Sequence, residues 1–484
     1  MFANRSKRLF PLKRLQKYCF FFRYANFFLY ICFFFRNFAP DFAMEPICAI
    51  STAYGTGGIA VIRVSGEGSL SIVDKLFVGR SPLGETPANS VRYGQIVRDG
   101  EVLDDVLCSV FRAPHSFTGE ETVEIACHGS LYIQQTLLQW LIDAGCRAAE
   151  PGEFTRRAFL NGKMDLTQAE AVADLIAAQS KAEKDLALSQ LRGSVSNELG
   201  VLRERLLHFT SLIELELDFA DHEELEFADR TELTALAAEI ETKLAALMSS
   251  FRTGNAIRNG IPVAIVGAPN VGKSTLLNAL LGEQRAIVSE IQGTTRDTIE
   301  DTLIIDGILF RLIDTAGMRD TDDTLENMGI ERSRQAVEKA QVVLSVVSKG
   351  NHGVILDFTP YRTVLTVYNK ADLLSPEERA QVTDGICVSA KNGDIEPLKK
   401  ELVRIARDSM QTSAVMLSNA RHYEAVSRAH EAIVRVQQGM ADGLSGELLS
   451  MDLQDCLNAL GEVTGQITNA EVLTNIFSKF CIGK

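Results

Sequence analysis

The segment with the most explicit chemistry is "GAPNVGKS", residues 267–274, a G-x-x-x-x-G-K-S loop. Its glycines let main-chain N–H groups turn inward around phosphates, and the N-terminus of a following helix adds the positive end of its dipole. In such a loop Lys273 reaches the β- and γ-phosphates and the Ser274 hydroxyl is a Mg²⁺ ligand. The anion is therefore expected among Asn270, Val271, Gly272, Lys273, Ser274 and Thr275. Three further pieces follow in order. "DTAG" (Asp314, Thr315, Ala316, Gly317) closes an apolar run, so that Asp314 can hold Mg²⁺ through water and Gly317 can offer a main-chain N–H to the γ-phosphate. "NKAD" (Asn369, Lys370, Ala371, Asp372) closes "TVLTVY", and a carboxylate there accepts two hydrogen bonds from the N1 and N2 edge of guanine, which adenine cannot donate. "SAK" (Ser389, Ala390, Lys391) supplies a clamp on the base. Any one of these is an ordinary turn. The set, in this order and each after an apolar run, specifies a guanine-nucleotide site.

"SEIQGTTRD", residues 289–297, falls where a switch threonine is required, and Thr295 would ligate Mg²⁺ when the γ-phosphate is present. Met318 follows "DTAG", with no nearby glutamine to orient water and no evident arginine finger. A monovalent cation would supply the missing charge, and Asn270 is placed to ligate one. The set resembles translation-factor-type GTPases.

These residues need a sheet to hold them. Residues 260–410 alternate apolar strands with helical stretches, which predicts a mostly parallel sheet flanked by helices, with a helix starting near Lys273. Helical pattern lies on both sides. From Asp165 to about Arg258 there is no proline, and "DLTQAEAVADLIAAQSKAEKDLALSQL" reads as one long amphipathic helix. Glu214 to Glu241 is rich in acids and reads as a solvated helix face or loop. After about Ser413 the helical period returns, and its last segment is expected to open on a capping box, Thr468 with Glu471. Helix, α/β and helix again predict a G domain inserted into one discontinuous helical domain. Residues 44–163, with short β-rich runs such as "GIAVIRVSG", read as an α+β domain. The expected boundaries are 44–163, 164–258, 259–411 and 412–484, in a multidomain chain combining α+β and α/β parts.

Composition narrows the function classes. The 484 residues are 46% hydrophobic and 23% charged, an ordinary globular mix. Net charge is −14, and the first 43 residues carry eight Lys or Arg against the single acid Asp41, leaving −21 on the rest. So acidic a body cannot coat a phosphate backbone broadly; a nucleic acid must meet a local basic patch or a surface shared with a partner. Nine cysteines, odd in number and without a C-x-x-C pair, argue for a reducing, cytoplasmic compartment without disulfides or structural zinc. The first 43 residues also hold 12 of the 25 phenylalanines, yet their longest uncharged run, Tyr24 to Phe35, has 12 residues, against about 20 for a membrane span. Translation is expected to begin at Met44, with residues 1–43 outside the fold and no membrane attachment.

The chain ends "FCIGK", with Cys481 near the terminus. The C-a-a-X lipidation pattern fits poorly, since Gly483 is not aliphatic and Lys484 is not a usual last residue. Nothing around Cys481 marks an activated thiolate, so a reacting thiol and a packing or positioning role both stand.

"GAPNVGKS", "GTTRD" and "FCIGK" together resemble the MnmE (TrmE) family of tRNA modification GTPases, as do "GGIAVIRVSG", "SFTGEETVEIACHG" and "PGEFTRRAFLNGKMDLTQAEAVADLI"; the resemblance runs from about Met44 to Lys484. It implies a homodimer that works with a flavin-dependent partner of the MnmG/GidA family, in a heterotetramer, on the wobble uridine of certain tRNAs. Together they add an aminomethyl or carboxymethylaminomethyl group at C5. The one-carbon unit would come from 5,10-methylene- or 5-formyl-tetrahydrofolate bound by the N-terminal domain, with GTP hydrolysis to GDP activated by K⁺. Carried over residue by residue, folate contacts fall on Arg63, Glu124, Lys163 and Lys484, K⁺ contacts on Asn270, Ser289, Ile291 and Thr294, and Mg²⁺ ligands on Ser274 and Thr295. Further nucleotide contacts fall on Glu290, Gln292 and Gly293, and a water-orienting carboxylate on Glu326, which fills the gap left by Met318. Lys273 and Cys481 complete the candidate catalytic groups. The alternative is a ribosome-assembly or regulatory GTPase whose flanking domains only bind; "PGEFTRRAFLNGKMDL" and "FCIGK" favour the tRNA-modifying reading.

Overall fold

The computed structural model describes residues 45–218, 230–282, 301–313, 334–350, 363–410 and 415–483. The chain divides into two compact units, one running to Lys163 and taking in the tail from Thr474, the other running Met164–Leu473. The tail, which the sequence reading places in the segment 412–484 and the resemblance sends toward the N-terminal domain, groups with the first unit.

The first unit is built from β1 (Ile47–Ile50), β2 (Gly57–Ser65), α1 (Ser69–Asp74), β3 (Phe77–Gly79), β4 (Ser90–Arg98), β5 (Glu101–Phe111), β6 (Thr122–Gly129), α2 (Leu131–Ala144), β7 (Arg147–Ala148) and α3 (Glu153–Leu160). Its seven strands lie in the order β3-β4-β5-β6-β2-β1-β7. Alternation sets the faces: Ile62 and Val64 of β2 and Val123 and Ile125 of β6 point into a core shared with Leu137 and Leu141 of α2. Arg63, between them in sequence, necessarily faces the other way, and register places it opposite both Ala49 of β1 and Glu124 of β6.

The second unit opens with α4 (Leu166–Ala177), α5 (Lys181–Leu191), α6 (Ser194–Asp218) and α7 (Arg230–Asn259). The single helix expected over α4 and α5 is broken at Ala178, whose backbone is extended (φ −58, ψ 123), because Ser180 caps α5 reciprocally with Glu183. That capping box satisfies free N–H groups locally and outcompetes helix continuation. Next come β8 (Ile261–Gly267), α8 (Lys273–Gly282), β9 (Asp301–Ile305), β10 (Ile308–Ile313), β11 (Val342–Val347), β12 (Thr363–Tyr368), α9 (Pro376–Ala380), β13 (Ile386–Cys387) and α10 (Glu396–Met410). The six-stranded sheet runs β13-β12-β11-β8-β10-β9. Only β9 pairs antiparallel, through the Asp306–Gly307 turn to β10. β11, "VVLSVV", is buried at every position, as a central parallel strand covered on both faces must be.

α11 (Ala420–Ala441) and α12 (Gly446–Thr464) follow, and α13 (Ala470–Phe477) leads into the tail. The N-cap of α13 is Asn469, whose side chain accepts from the Val472 N–H at 2.8 Å, so the box expected from Thr468 and Glu471 does not form; Thr468 lies one residue too early. α6 and α7 pack with α11 and α12 around one apolar core: Leu202, Leu206 and Phe209, Leu236, Ile240 and Leu244, Val426 and Ile433, Leu457 and Leu460. The G-domain sheet has its own core, including Val263, Leu277, Phe310 and Leu344. The inserted arrangement therefore has a physical form, since helices before and after the α/β segment share a core that excludes it. Among the described residues no helix is long and apolar enough to cross a membrane.

Candidate guanine-nucleotide site and the N-terminal cleft

The apolar strand β8 delivers the chain to the loop 267–274, and α8 begins at Lys273. The Lys273 ammonium donates to the Gly267 and Ala268 carbonyls, each at 2.9 Å, and burial lowers its pKa. It is thus held across the mouth of the loop. Gly272 has φ +95, and a Cβ there would lie 2.3 Å from the Asn369 side-chain nitrogen, so only glycine fits.

Asn369, 3% exposed, is the bolt between the phosphate and base loops. Its Nδ2 donates to the carbonyls of Val271 at 3.0 Å and Gly272 at 3.3 Å, while its Oδ1 accepts from the Ala390 N–H at 3.1 Å. Lys370, at φ 60, donates through Nζ to the Asn270 carbonyl at 2.7 Å, and Asn270 is itself at φ 63. The Ser389 hydroxyl donates to Asp372 Oδ1 at 2.6 Å and lowers the Asp372 pKa, which keeps a carboxylate ready to accept hydrogen bonds. The structure therefore brings the 270–275, 369–372 and 389–391 groups to one edge, at the carboxyl ends of β8 and β12, where open α/β sheets bind ligands.

Of the expected cation ligands, Asn270 and Ser274 are described. An amide oxygen in the loop and a hydroxyl in the first turn of α8 are hard donors of the kind K⁺ and Mg²⁺ take. Ser289, Glu290, Ile291, Gln292, Gly293, Thr294, Thr295, Asp314, Thr315, Ala316, Gly317 and Glu326 lie outside the described residues, as do Lys484 and residues 1–43.

In the first unit, Arg63 and Glu124 form a bidentate pair, Nε at 2.9 Å and Nη2 at 2.8 Å from the same carboxylate oxygen. The guanidinium carbon lies 5.2 Å from the Phe117 ring centre and 5.5 Å from that of Phe154. The arginine thus packs on two aromatic rings beside a partly exposed carboxylate, which sets one cationic and one anionic group side by side. The Lys163 ammonium donates to the Pro114 carbonyl at 2.8 Å. The same unit holds a largely buried polar network: Ser65 and Thr118 hydroxyls lie 2.7 Å apart, Ser65 donates to Glu120, Arg157 reaches Glu120 and Glu153, and Arg147 reaches Glu153. This network is why "SFTGEET" and "PGEFTRRAF" carry so many polar residues at interior positions.

The tail docks on the same unit. Phe477 and Phe480 are buried, at 1% and 9% exposure. The Cys481 carbonyl accepts from the Gly152 N–H at 3.4 Å, and the Gly483 carbonyl from the Ser51 hydroxyl at 3.1 Å. Gly483 has φ +96, and a Cβ on it would sit 2.2 Å from the Ile50 carbonyl oxygen. Ile50 ends β1, so the tail docks at the end of the strand that pairs with β2. The Cys481 side chain is exposed. Phe117, Phe154 and Ser51 were missed by sequence reasoning; the aromatic pair had a signal in the two motifs that contain it, whereas Ser51 had none.

Comparison with known proteins places these features in company. Residues 46–163 match the family model described as "GTP-binding protein TrmE N-terminus", and residues 166–481 match that described as "MnmE helical domain". A Parabacteroides distasonis protein named tRNA modification GTPase MnmE is 53% identical over 464 residues, covering 91% of this chain and 100% of that protein. A Porphyromonas gingivalis protein of the same name is 50% identical, covering 92% and 99%. Among solved structures, the G domain of the T. maritima FeoB iron transporter is similar over 30% of this chain and 98% of that one, at 23% identity and a TM-score of 0.23, too low to inform the fold.

Proposed function

The chain belongs to the MnmE (TrmE) family of tRNA modification GTPases, and from that premise we propose that it hydrolyses GTP as one half of an enzyme that modifies C5 of the wobble uridine in certain tRNAs. The nucleotide would sit with its phosphates over residues 270–275 and its base between Asp372 and Ser389–Lys391. Lys273 neutralises the β- and γ-phosphates, the main-chain N–H groups of the loop fix them, and Asp372 selects guanine. Mg²⁺ on Ser274 and Thr295, and K⁺ on Asn270, Ser289, Ile291 and Thr294, would add the positive charge that the loop alone lacks. Glu326 would orient the attacking water.

In the first unit, the Arg63–Glu124 pair has the chemistry for a reduced folate. Glu124 can accept from the donor edge of a pteridine, and Arg63, Lys163 and Lys484 can meet the acidic tail. The observation that carries this reading is the Arg63–Glu124 pair that the β2–β6 register sets side by side, with the C-terminal tail docked on the same unit through Ser51 and Gly152. A GTPase whose flanking domains only bind has no use for a buried chain end presenting an exposed thiol there. The proposal extends to domain boundaries at 163, 258 and 411, a homodimer, an MnmG/GidA-type flavoprotein partner and action in the cytoplasm. Calorimetry with 5-formyltetrahydrofolate tests it. Saturable binding lost in Arg63→Ala supports the folate assignment, and no heat with the wild-type protein refutes it.

A further inference from the structure

The two connections between the helical bundle and the G domain lie against each other. A Cβ on Gly254 of α7 would meet the Leu417 carbonyl oxygen at 2.2 Å, so the outgoing and returning segments pack at the closest backbone spacing. The return is pinned from both sides: Ser250 of α7 accepts from the Leu417 N–H at 3.1 Å, and Gln190 of α5 donates to the Met416 carbonyl at 3.1 Å and the Ser418 hydroxyl at 3.0 Å. The outgoing side is held by one ion pair. Arg258, three residues before β8, donates from Nε at 3.0 Å and Nη2 at 2.7 Å to Asp174 Oδ1 on α4.

Beside this pair is a cavity of about 180 Å³, lined by Asp174, Arg258 and, from α5, Glu183. Glu183 is 8% exposed, and its Oε1 is buried without a hydrogen-bond partner, while Oε2 caps α5 by accepting from the Gln179 and Ser180 N–H groups. A buried, half-satisfied carboxylate is costly unless a cation can reach it. The cation lining the same cavity is Arg258. Burial also pushes the Asp174 carboxyl above its ordinary range in spite of Arg258, so the pair as seen does not fully offset its own desolvation. α5 also touches the G domain next to Glu183: the Ala182 N–H donates to the carbonyl of Gly307, in the β9–β10 turn, at 3.1 Å.

We propose that Arg258 is a two-position latch, held by Asp174 in this structure and accepted by Glu183 across the cavity when the β9–β10 turn pulls on α5, so that α4 and α5 relay the nucleotide state of the G domain to the helical bundle. The path runs from Gly307 through the Ala182 hydrogen bond to Glu183, and from there across the cavity to Arg258, close before the strand that carries the phosphate loop. The observed Asp174 position and the proposed Glu183 position would be the two discrete arrangements that a coupling element needs.

The two acceptors make opposite predictions. Asp174→Asn weakens the present position; Glu183→Gln keeps a capping oxygen but removes the charge that receives Arg258. Full-length wild type and both variants are compared by hydrogen-exchange mass spectrometry over residues 177–183, without nucleotide and with a non-hydrolysable GTP analogue, with analogue occupancy measured on the same samples by a fluorescent derivative. The wild type is expected to shift its exchange on binding. Asp174→Asn should show the shifted pattern without nucleotide, and Glu183→Gln should bind the analogue yet keep the unshifted pattern. Both variants moving in the same direction, as simple loss of packing would produce, overturns the latch. So does a wild type that binds the analogue with no change over 177–183.

Discussion

Replacing Asn369 by alanine tests whether the phosphate and base loops are one mechanical unit. The side chain makes three hydrogen bonds, to Val271, Gly272 and Ala390, and is 3% exposed, so water cannot replace them. Each buried neutral hydrogen bond contributes about 1 kcal/mol, giving about 3 kcal/mol in all. Some of this appears as a lower melting temperature of the nucleotide-free G domain. The rest appears as nucleotide affinity, because the empty loops no longer sit in the binding geometry. At 1.4 kcal/mol per tenfold, the dissociation constant for GDP should rise by up to about 100-fold. Titration with a fluorescent GDP derivative, alongside a thermal melt, separates the two contributions. A dissociation constant within about threefold of wild type, with an unchanged melt, would refute the reasoning, since three buried bonds would then contribute almost nothing.

Asp372→Asn should move base preference from guanosine to xanthosine nucleotides, because xanthine supplies the acceptor that the amide then seeks; competition between GTP and XTP reads it, and unchanged GTP use means Asp372 does not read the base. Glu170 of α4 is 7% exposed; burial pushes its carboxyl up, but His422 and Arg421 outweigh burial and bring it from 4.5 down to about 2. A depressed carboxylate stabilises the fold fully above the unfolded value and loses that contribution as pH falls through the folded one, here between pH 4.5 and about 2, and the shift corresponds to about 3 kcal/mol. Glu170→Gln should therefore lower stability at neutral pH and flatten the acid limb of urea unfolding; identical acid limbs would remove Glu170 from the account. Cys481→Ser should leave the tail docked, because the contacts seen at Cys481 and Gly483 run through main-chain carbonyls, and should abolish tRNA modification if the exposed thiol reacts. Full modification by that variant would restrict Cys481 to positioning.

The clustering of the candidate nucleotide loops was legible because it depends on local order. "GAPNVGKS", "NKAD" and "SAK" each sit at the end of a strand that its own apolar residues specify, and the parallel sheet gathers strand ends on one side. What sequence could not show is how the pieces hold one another. Asn369 was placed with the base-reading motif, yet its donors serve the phosphate loop. The break between α4 and α5 was hidden because apolar periodicity continues across it, and only the Ser180–Glu183 capping box decides the ending. Arg63 and Glu124 are distant in sequence and became a pair only through the β2–β6 register. Phe117 and Phe154, which flank Arg63, come from a loop and a helix whose meeting no periodicity encodes.

The inserted topology explains why so few contacts decide how the G domain moves. A domain on a single linker reorients freely. Here the chain leaves the bundle at Asn259 and returns at Met416 to Ser418, and these points are pressed together at Gly254 and Leu417. Two adjacent attachments act as a short hinge, which leaves rotation about their common line as the easy motion and resists the others. Rotation there must displace what packs beside the hinge, namely the ends of α4 and α5, and the polar cavity is room for that displacement. The bundle resists, because its core joins α6 and α7 to α11 and α12 and carries too many buried side chains to yield. In the proposed latch a displacement of the G domain would reach the few polar contacts at these attachments, and Asp174, Glu183 and Arg258 are the charged side chains that line the cavity there.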